Sequence, residues 1–161
     1  LVAPVHPVVI VAGYVAGGVA RGLVTGMIVL LVALFFTHIT IFNLALVLLF
    51  ALLTSIFFAL FGLIVAIYAK GFDGMSIIPN FVLTPLTYLG GVFYSITMLP
   101  EFWQKVSYAN PVFYMINGFR YGFLGLADTS VWGSALFLLV LCMGALVYTL
   151  YLFQSGRALR M

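Results

Sequence analysis

The chain has 161 residues, of which 66% are apolar and only 6% charged, with six Lys and Arg against three Asp and Glu. Soluble domains carry about 25% charged residues, so this composition excludes an ordinary water-soluble globule and a disordered segment. A single cysteine, Cys142, excludes an internal disulfide framework, and six scattered cations form no clustered basic face for nucleic acid.

The positions of the charges locate the spans. Residues 22–69, 74–100 and 129–156 contain no Asp, Glu, Lys or Arg. A helix crosses the hydrocarbon core with roughly 20 apolar residues, so the first run holds two crossings and the others one each. The fold class is all-α integral membrane, one transmembrane domain over 1–161, with predicted spans at about 8–36, 42–69, 77–98 and 131–154.

In chain order, the segment begins Leu1-Val2-Ala3-Pro4-Val5-His6-Pro7. It has no basic leader or small-residue cleavage site, so the first apolar run is not a signal peptide. The expectation is a fragment whose N-terminal part is missing. Arg21 falls inside the first span, toward its starting side. A charge at the bilayer centre costs at least ~2.5–3.5 kcal/mol, so Arg21 either snorkels to the interface or serves a polar path or a subunit contact. Gly18, Gly22 and Gly26 recur every fourth residue beside Gly13 and Gly17. That spacing lets a second backbone approach closely, either within the chain or across a dimer.

The polar stretch 37–43 divides the first two spans. Pro79, Pro85 and the pair Gly90-Gly91 interrupt the third, which predicts a kink. Pro100 and Pro111 then bound a short helical piece, and Pro111 suits the first turn of another. Pro100–Ala127 therefore reads as two short helices dipping into the membrane and returning, the alternative being a surface loop with interfacial helices. Aromatic residues including Phe93, Tyr94, Trp103, Tyr108, Tyr114 and Tyr121 crowd this end, as an interfacial belt or as substrate contacts. Lys70, Arg157, Arg160 and Arg21 outvote Lys105 and Arg120, which places both ends of the chain in the cytoplasm.

Catalytic constellations are missing from the sequence. His6 and His38 fall at opposite faces of this topology, and Ser55 lies mid-span with no base nearby. There is no Gly-x-x-x-x-Gly-Lys-Ser/Thr phosphate loop, so ATP is not bound by that route. Asp73, Glu101 and Asp128 all fall at span boundaries, which argues against a proton- or sodium-coupled carrier with a buried carboxylate.

Asn110-Pro111-Val112-Phe113-Tyr114, followed by Arg120 and Gly125, resembles the pattern near the C-terminus of ABC-2 type permeases. The run 83–94 and Met98-Leu99-Pro100 with Trp103 are similar to the same family's fifth span. The opening Leu1-Val2-Ala3-Pro4 resembles the exit from its cytoplasmic coupling helix. The resemblance implies the last four of about six spans, a re-entrant pair at 100–127 and a bacterial inner-membrane location. It also implies a permease homodimer in lipid, driven by a separate ATPase subunit that binds the ATP, so that this chain needs no cofactor. Pro4, His6, Pro7, Lys70 and Asp73 would then lie on the ATPase-coupling side. The nearest branch exports drugs, polysaccharides or lipid-linked glycans.

Overall fold

Pro7 opens a helix that ends only at Phe36, because a proline at the first turn lacks an N–H that would have no partner there anyway. The computed structural model describes residues 6–37, 40–69, 72–93 and 95–155, with the backbone alone for 72–79 and 97. Its order is α1 (Pro7–Phe36), α2 (Leu44–Tyr68), α3 (Phe72–Leu89), a 3-10 turn at Ile96–Met98, α4 (Glu101–Tyr108), α5 (Pro111–Leu124) and α6 (Val131–Gln154). No strand occurs among the described residues. Three helices among them, α1, α2 and α6, are long and apolar enough to cross a bilayer.

Local capping explains where the helices start. The side chains of Asn43, Asn110 and Ser130 accept hydrogen bonds from Leu46 N (3.1 Å), Val112 N (2.9 Å) and Gly133 N (3.2 Å). Each supplies an acceptor for an amide that a helix start leaves unpaired. Gly125, at φ 70°, closes α5 in the left-handed conformation that glycine adopts without strain.

The third predicted span differs from the helix observed. The charge-free run predicts a crossing at 77–98, but α3 covers Phe72–Leu89, and helical structure resumes only as the short turn at Ile96–Met98. Gly91 adopts φ 80°, and Gly90 N bonds to Thr87 O in a tightened last turn. The glycine pair therefore terminates the helix and does not kink it, while the helix continues through both Pro79 and Pro85.

Two apolar clusters fix the directions of the long helices. At one end Leu46, Phe50 and Leu53 of α2 meet Met115 of α5 with Val131 and Leu138 of α6. At the other end Val11 of α1 meets Leu60 and Leu63 of α2, with Leu146, Leu150 and Phe153 of α6 beside them. Hence α2 and α6 run parallel and α1 runs against both, so the start of α1 and the end of α6 share one end of the bundle. α1 leaves Met27 65% and Phe35 89% exposed, a surface suited to lipid contact. Close fit, more than water exclusion, holds such helices together in lipid.

α5 runs antiparallel to α2. Gly118 packs against Phe50, Gly122 against Val47, and Pro111 and Val112 share a small apolar cavity with Phe57, Phe58 and Phe61. Phe57 lies about 20 Å along α2 from Leu44 at 1.5 Å per residue. The 14 residues of α5 span about 21 Å, short of the ~30 Å hydrocarbon core. At its far end, Phe42 N and Asn43 N donate to Phe123 O (3.3 Å) and Gly122 O (2.9 Å), so the α1–α2 connection satisfies the last carbonyls of α5.

Candidate functional site

Two features share α5. One is a polar clasp that ties it to α3 and α6; the other is a long groove that it helps to wall.

The clasp begins at the last turn of α3, whose final carbonyls have no partner within the helix. Asn110 Nδ2 donates to Leu86 O at 2.6 Å while its Oδ1 caps α5, so one buried amide serves two helices. Farther along α5, Arg120 donates through one nitrogen to Gly91 O and through the other to Asp128 Oδ2 at 2.6 Å. Ser95 Oγ completes the site by donating to Asp128 Oδ1 at 2.8 Å. The guanidinium has several donors in a fixed fork, which is why one side chain can hold a carbonyl and a carboxylate together. Arg120 and Asp128 are partly buried, where an ion pair is screened less than at an open surface.

Asn117 pins the turn that carries Asp128. It is 1% exposed. Its Oδ1 accepts from Asp128 N (2.8 Å) and Thr129 N (3.3 Å), and its Nδ2 donates to Thr129 O (3.1 Å) and Ser134 Oγ (3.0 Å). All the hydrogen-bonding capacity of the amide is used, which a buried polar group requires to avoid a desolvation cost.

The groove is walled by α1, α2 and α5 and has a volume of about 1670 Å³. It extends from Gly13 and Gly62 at one end to Ala33, Ile41 and Leu124 at the other. The stretch of α1 from Gly13 to Ala33 corresponds to about 30 Å of helix, close to the thickness of the hydrocarbon core. Its lining is chiefly apolar, with Arg21 and Arg120 as its cations and no carboxylate among the described residues.

Several residues singled out in the sequence sit in these features, and others do not. Asn110, Arg120, Gly90 and Gly91 lie at the clasp; a Cβ on Gly90 would fall 2.8 Å from Ile116 Cδ1 of α5. Tyr114 donates its hydroxyl to Tyr108 O at 2.8 Å and lies against Phe137 of α6 with ring centroids 4.2 Å apart, so it holds α4 to α6. Pro111 opens α5 and Gly125 closes it. Gly18 and Gly22 face Ala59 and Ser55 of α2, where added Cβ atoms would fall at 2.6 Å from Ala59 Cβ and Ser55 Oγ. Gly26 departs from that stripe, since a Cβ added there would meet nothing within 4 Å. Arg21 is the fifteenth of the 30 residues of α1.

His6 is the exposed residue before α1, with no side-chain capping bond, and Pro7 is the first residue of the helix. Asp73 lies in the first turn of α3, where only the backbone is described, as it is at Pro79. Pro4, Lys70, His38, Tyr94, Arg157 and Arg160 lie outside the described residues. Sequence reasoning passed over Asn117, Gly118 and Gly122. The available signal was the spacing of Asn110, Asn117 and Arg120, polar residues seven and three apart that share one face of an otherwise apolar helix.

Comparison with known proteins adds to this geometry. Residues 1–124 match the ABC-2 type transporter family. The chain is 51% identical over 160 residues to the inner membrane transport permease YadH of Escherichia coli (strain K12), covering 99% of this chain and 62% of that protein. The same values hold for the permease of that name in Shigella flexneri. Nodulation protein J of Sinorhizobium fredii is 32% identical over 95 residues, which is 59% of this chain and 35% of that protein. No solved structure matches. The chain thus spans 62% of the length of the YadH proteins. Because the family match covers most of its residues, the chain belongs to the ABC-2 type transporter family.

Proposed function

We propose that the chain forms part of the transmembrane permease subunit of an ATP-driven exporter, in which a separate ATPase subunit binds and hydrolyses ATP. The observation that carries this reading is the family match over residues 1–124, and the 51% identity to inner membrane transport permeases supports it. The protein resides in the bacterial inner membrane as a permease homodimer. Four crossings, α1, α2, α3 and α6, put both ends of the chain in the cytoplasm, and α4 with α5 forms the re-entrant pair outside.

The packing supports this topology. α3 begins where α2 ends, and its last turn meets Arg120, two residues before the Gly122 that packs on Val47 near the opposite end of α2. Its 18 residues supply about 27 Å of the crossing. The depth that α5 reaches along α2 supports a dipping hairpin over a loop lying on the surface.

The start of α1, the end of α2 and the end of α6 gather at one end of the bundle. His6 and Pro7 open α1 there, Lys70 and Asp73 follow the end of α2 in the chain, and Pro4 comes just before His6. This end of the bundle is the one on which the ATPase subunit acts. Closure of the ATPases displaces this end. The helices then shift as near-rigid bodies, and the change is taken up at helix ends such as Gly90-Gly91.

The test is reconstitution of the full-length permease in vesicles with a candidate ATP-binding subunit. Export into or out of the vesicles is expected only while ATP is hydrolysed. Transport that continues with a hydrolysis-dead ATPase would identify a secondary carrier or channel and reject the proposal.

A further inference from the structure

The end of α3 is fastened chiefly by polar bonds. Val92 and Phe93, which follow the glycine pair, are exposed and add little to the apolar core. Gly91 is held through its carbonyl, by Arg120. Ser95 donates to Asp128, the other half of the same ion pair. Both contacts converge on Arg120 and Asp128, so one pair decides whether the chain leaving α3 stays against α5.

The parts on either side are fixed independently of that pair. Before the glycines, Leu86 O is bonded to Asn110, whose Oδ1 also caps α5. Beyond them, Ile96 is fully buried. On the receiving side Asn117 Oδ1 accepts from Asp128 N and Thr129 N, so the turn that carries Asp128 keeps its place without help from α3. Between these anchors Gly90 and Gly91, the latter at φ 80°, give the backbone conformations that other residues adopt only with strain. Arg120 and Asp128 are partly exposed, so water reaches them and replaces the bonds that release would break. A short segment with few buried apolar contacts and solvated polar bonds, set between fixed neighbours, is where a fold opens locally at least cost.

We propose that the Arg120–Asp128 pair is a latch on a glycine hinge at the end of α3. Latched, Arg120 holds Gly91 O and Asp128 holds Ser95 Oγ. Released, the pair is hydrated and residues 90–93 turn away, while Leu86 stays on Asn110. The inference names what holds the hinge that the permease reading uses, but it concerns an equilibrium within this chain and needs no ATP.

The test places a nitroxide at position 93, through Phe93→Cys, in the full-length permease with its native cysteines replaced, in nanodiscs without an ATPase subunit. The spectrum is expected to resolve an immobile and a mobile component, the latched and released states. Raising KCl from about 0.1 M to about 1 M shortens the screening length from about 10 Å to about 3 Å and is expected to raise the mobile fraction about threefold. Sorbitol of equal osmolality should leave it unchanged. Asp128→Asn is expected to be chiefly mobile at both salt concentrations, and Arg120→Lys, which loses the fork, to lie between. A nitroxide at position 136, an exposed site on α6, should keep one spectrum throughout. A single component at 93 in every condition, a mobile fraction indifferent to salt, no gain of mobility in Asp128→Asn, or a parallel change at 136 overturns the proposal. If Asp128→Asn fails to fold, the salt series without it and Arg120→Lys decide. Failure of the latch leaves ATP coupling standing, and ATP-independent transport leaves the latch standing.

Discussion

Gly118 of α5 passes so close to the ring of Phe50 that a Cβ there would fall under 3.0 Å from three ring atoms. Phe50 is fully buried, so its ring has nowhere to go. Gly118→Ala is therefore expected to destabilise the protein by about 1–3 kcal/mol through overpacking. Gly144→Ala, with nothing within 4 Å, is the control and should be neutral or stabilising. Thermal unfolding of the two variants of the full-length permease in one detergent separates these outcomes.

The glycines of α1 divide in the same way. Gly18→Val and Gly22→Val would drive side chains into Ala59 and Ser55, separating α1 from α2. Each is expected to lower the unfolding temperature by several degrees, corresponding to about 1–3 kcal/mol. Gly26→Ala meets nothing and should gain up to ~1 kcal/mol of helix propensity. Equal losses at all three positions would refute the packing assignment.

Asn117→Leu removes four hydrogen bonds and leaves the amides of Asp128 and Thr129 without their acceptor. The expected cost is about 2–4 kcal/mol, since each buried group left unpaired costs about 1–3 kcal/mol. Asn117→Asp keeps the acceptors but loses both donations, to Thr129 O and Ser134 Oγ, so it should fall between the wild type and the leucine variant. Chemical denaturation of the three proteins gives the order.

Arg120→Lys retains a cation for Asp128 but loses the fork that also reaches Gly91 O. It should leave global stability within about 1 kcal/mol while loosening the last turn of α3. Arg120→Ala strips Asp128 of its counter-charge and should cost about 2–4 kcal/mol, discounted for the partial exposure of both groups. Hydrogen exchange at 86–92 is the readout, with faster exchange expected in both variants and global destabilisation only in the second.

Much of the helical framework was legible in the sequence because membranes enforce simple rules. Charge-free runs and the 37–43 polar stretch marked the ends of α1 and α2, and Pro111 marked the start of α5. The end of α3 was misread because composition cannot distinguish a glycine pair inside a helix from one that stops it; the positive φ at Gly91 decides that. The clasp was legible only in part. Asn110 and Arg120 stood out by their type in an apolar segment, whereas Gly118 and Gly122 matter through the rings and methyls of α2, which lie some seventy residues away in sequence. Arg21 was noticed for its charge, but the groove beside it depends on how α1, α2 and α5 pack.

The hydrogen bonds from Phe42 and Asn43 to the carbonyls of Phe123 and Gly122 also order events during synthesis. The acceptors are synthesised after the donors, once the whole of α1 and α2 has been made. α5 thus reaches a helix pair that precedes it in the chain, and a chain ending before Gly122 would leave the amides of Phe42 and Asn43 without these acceptors.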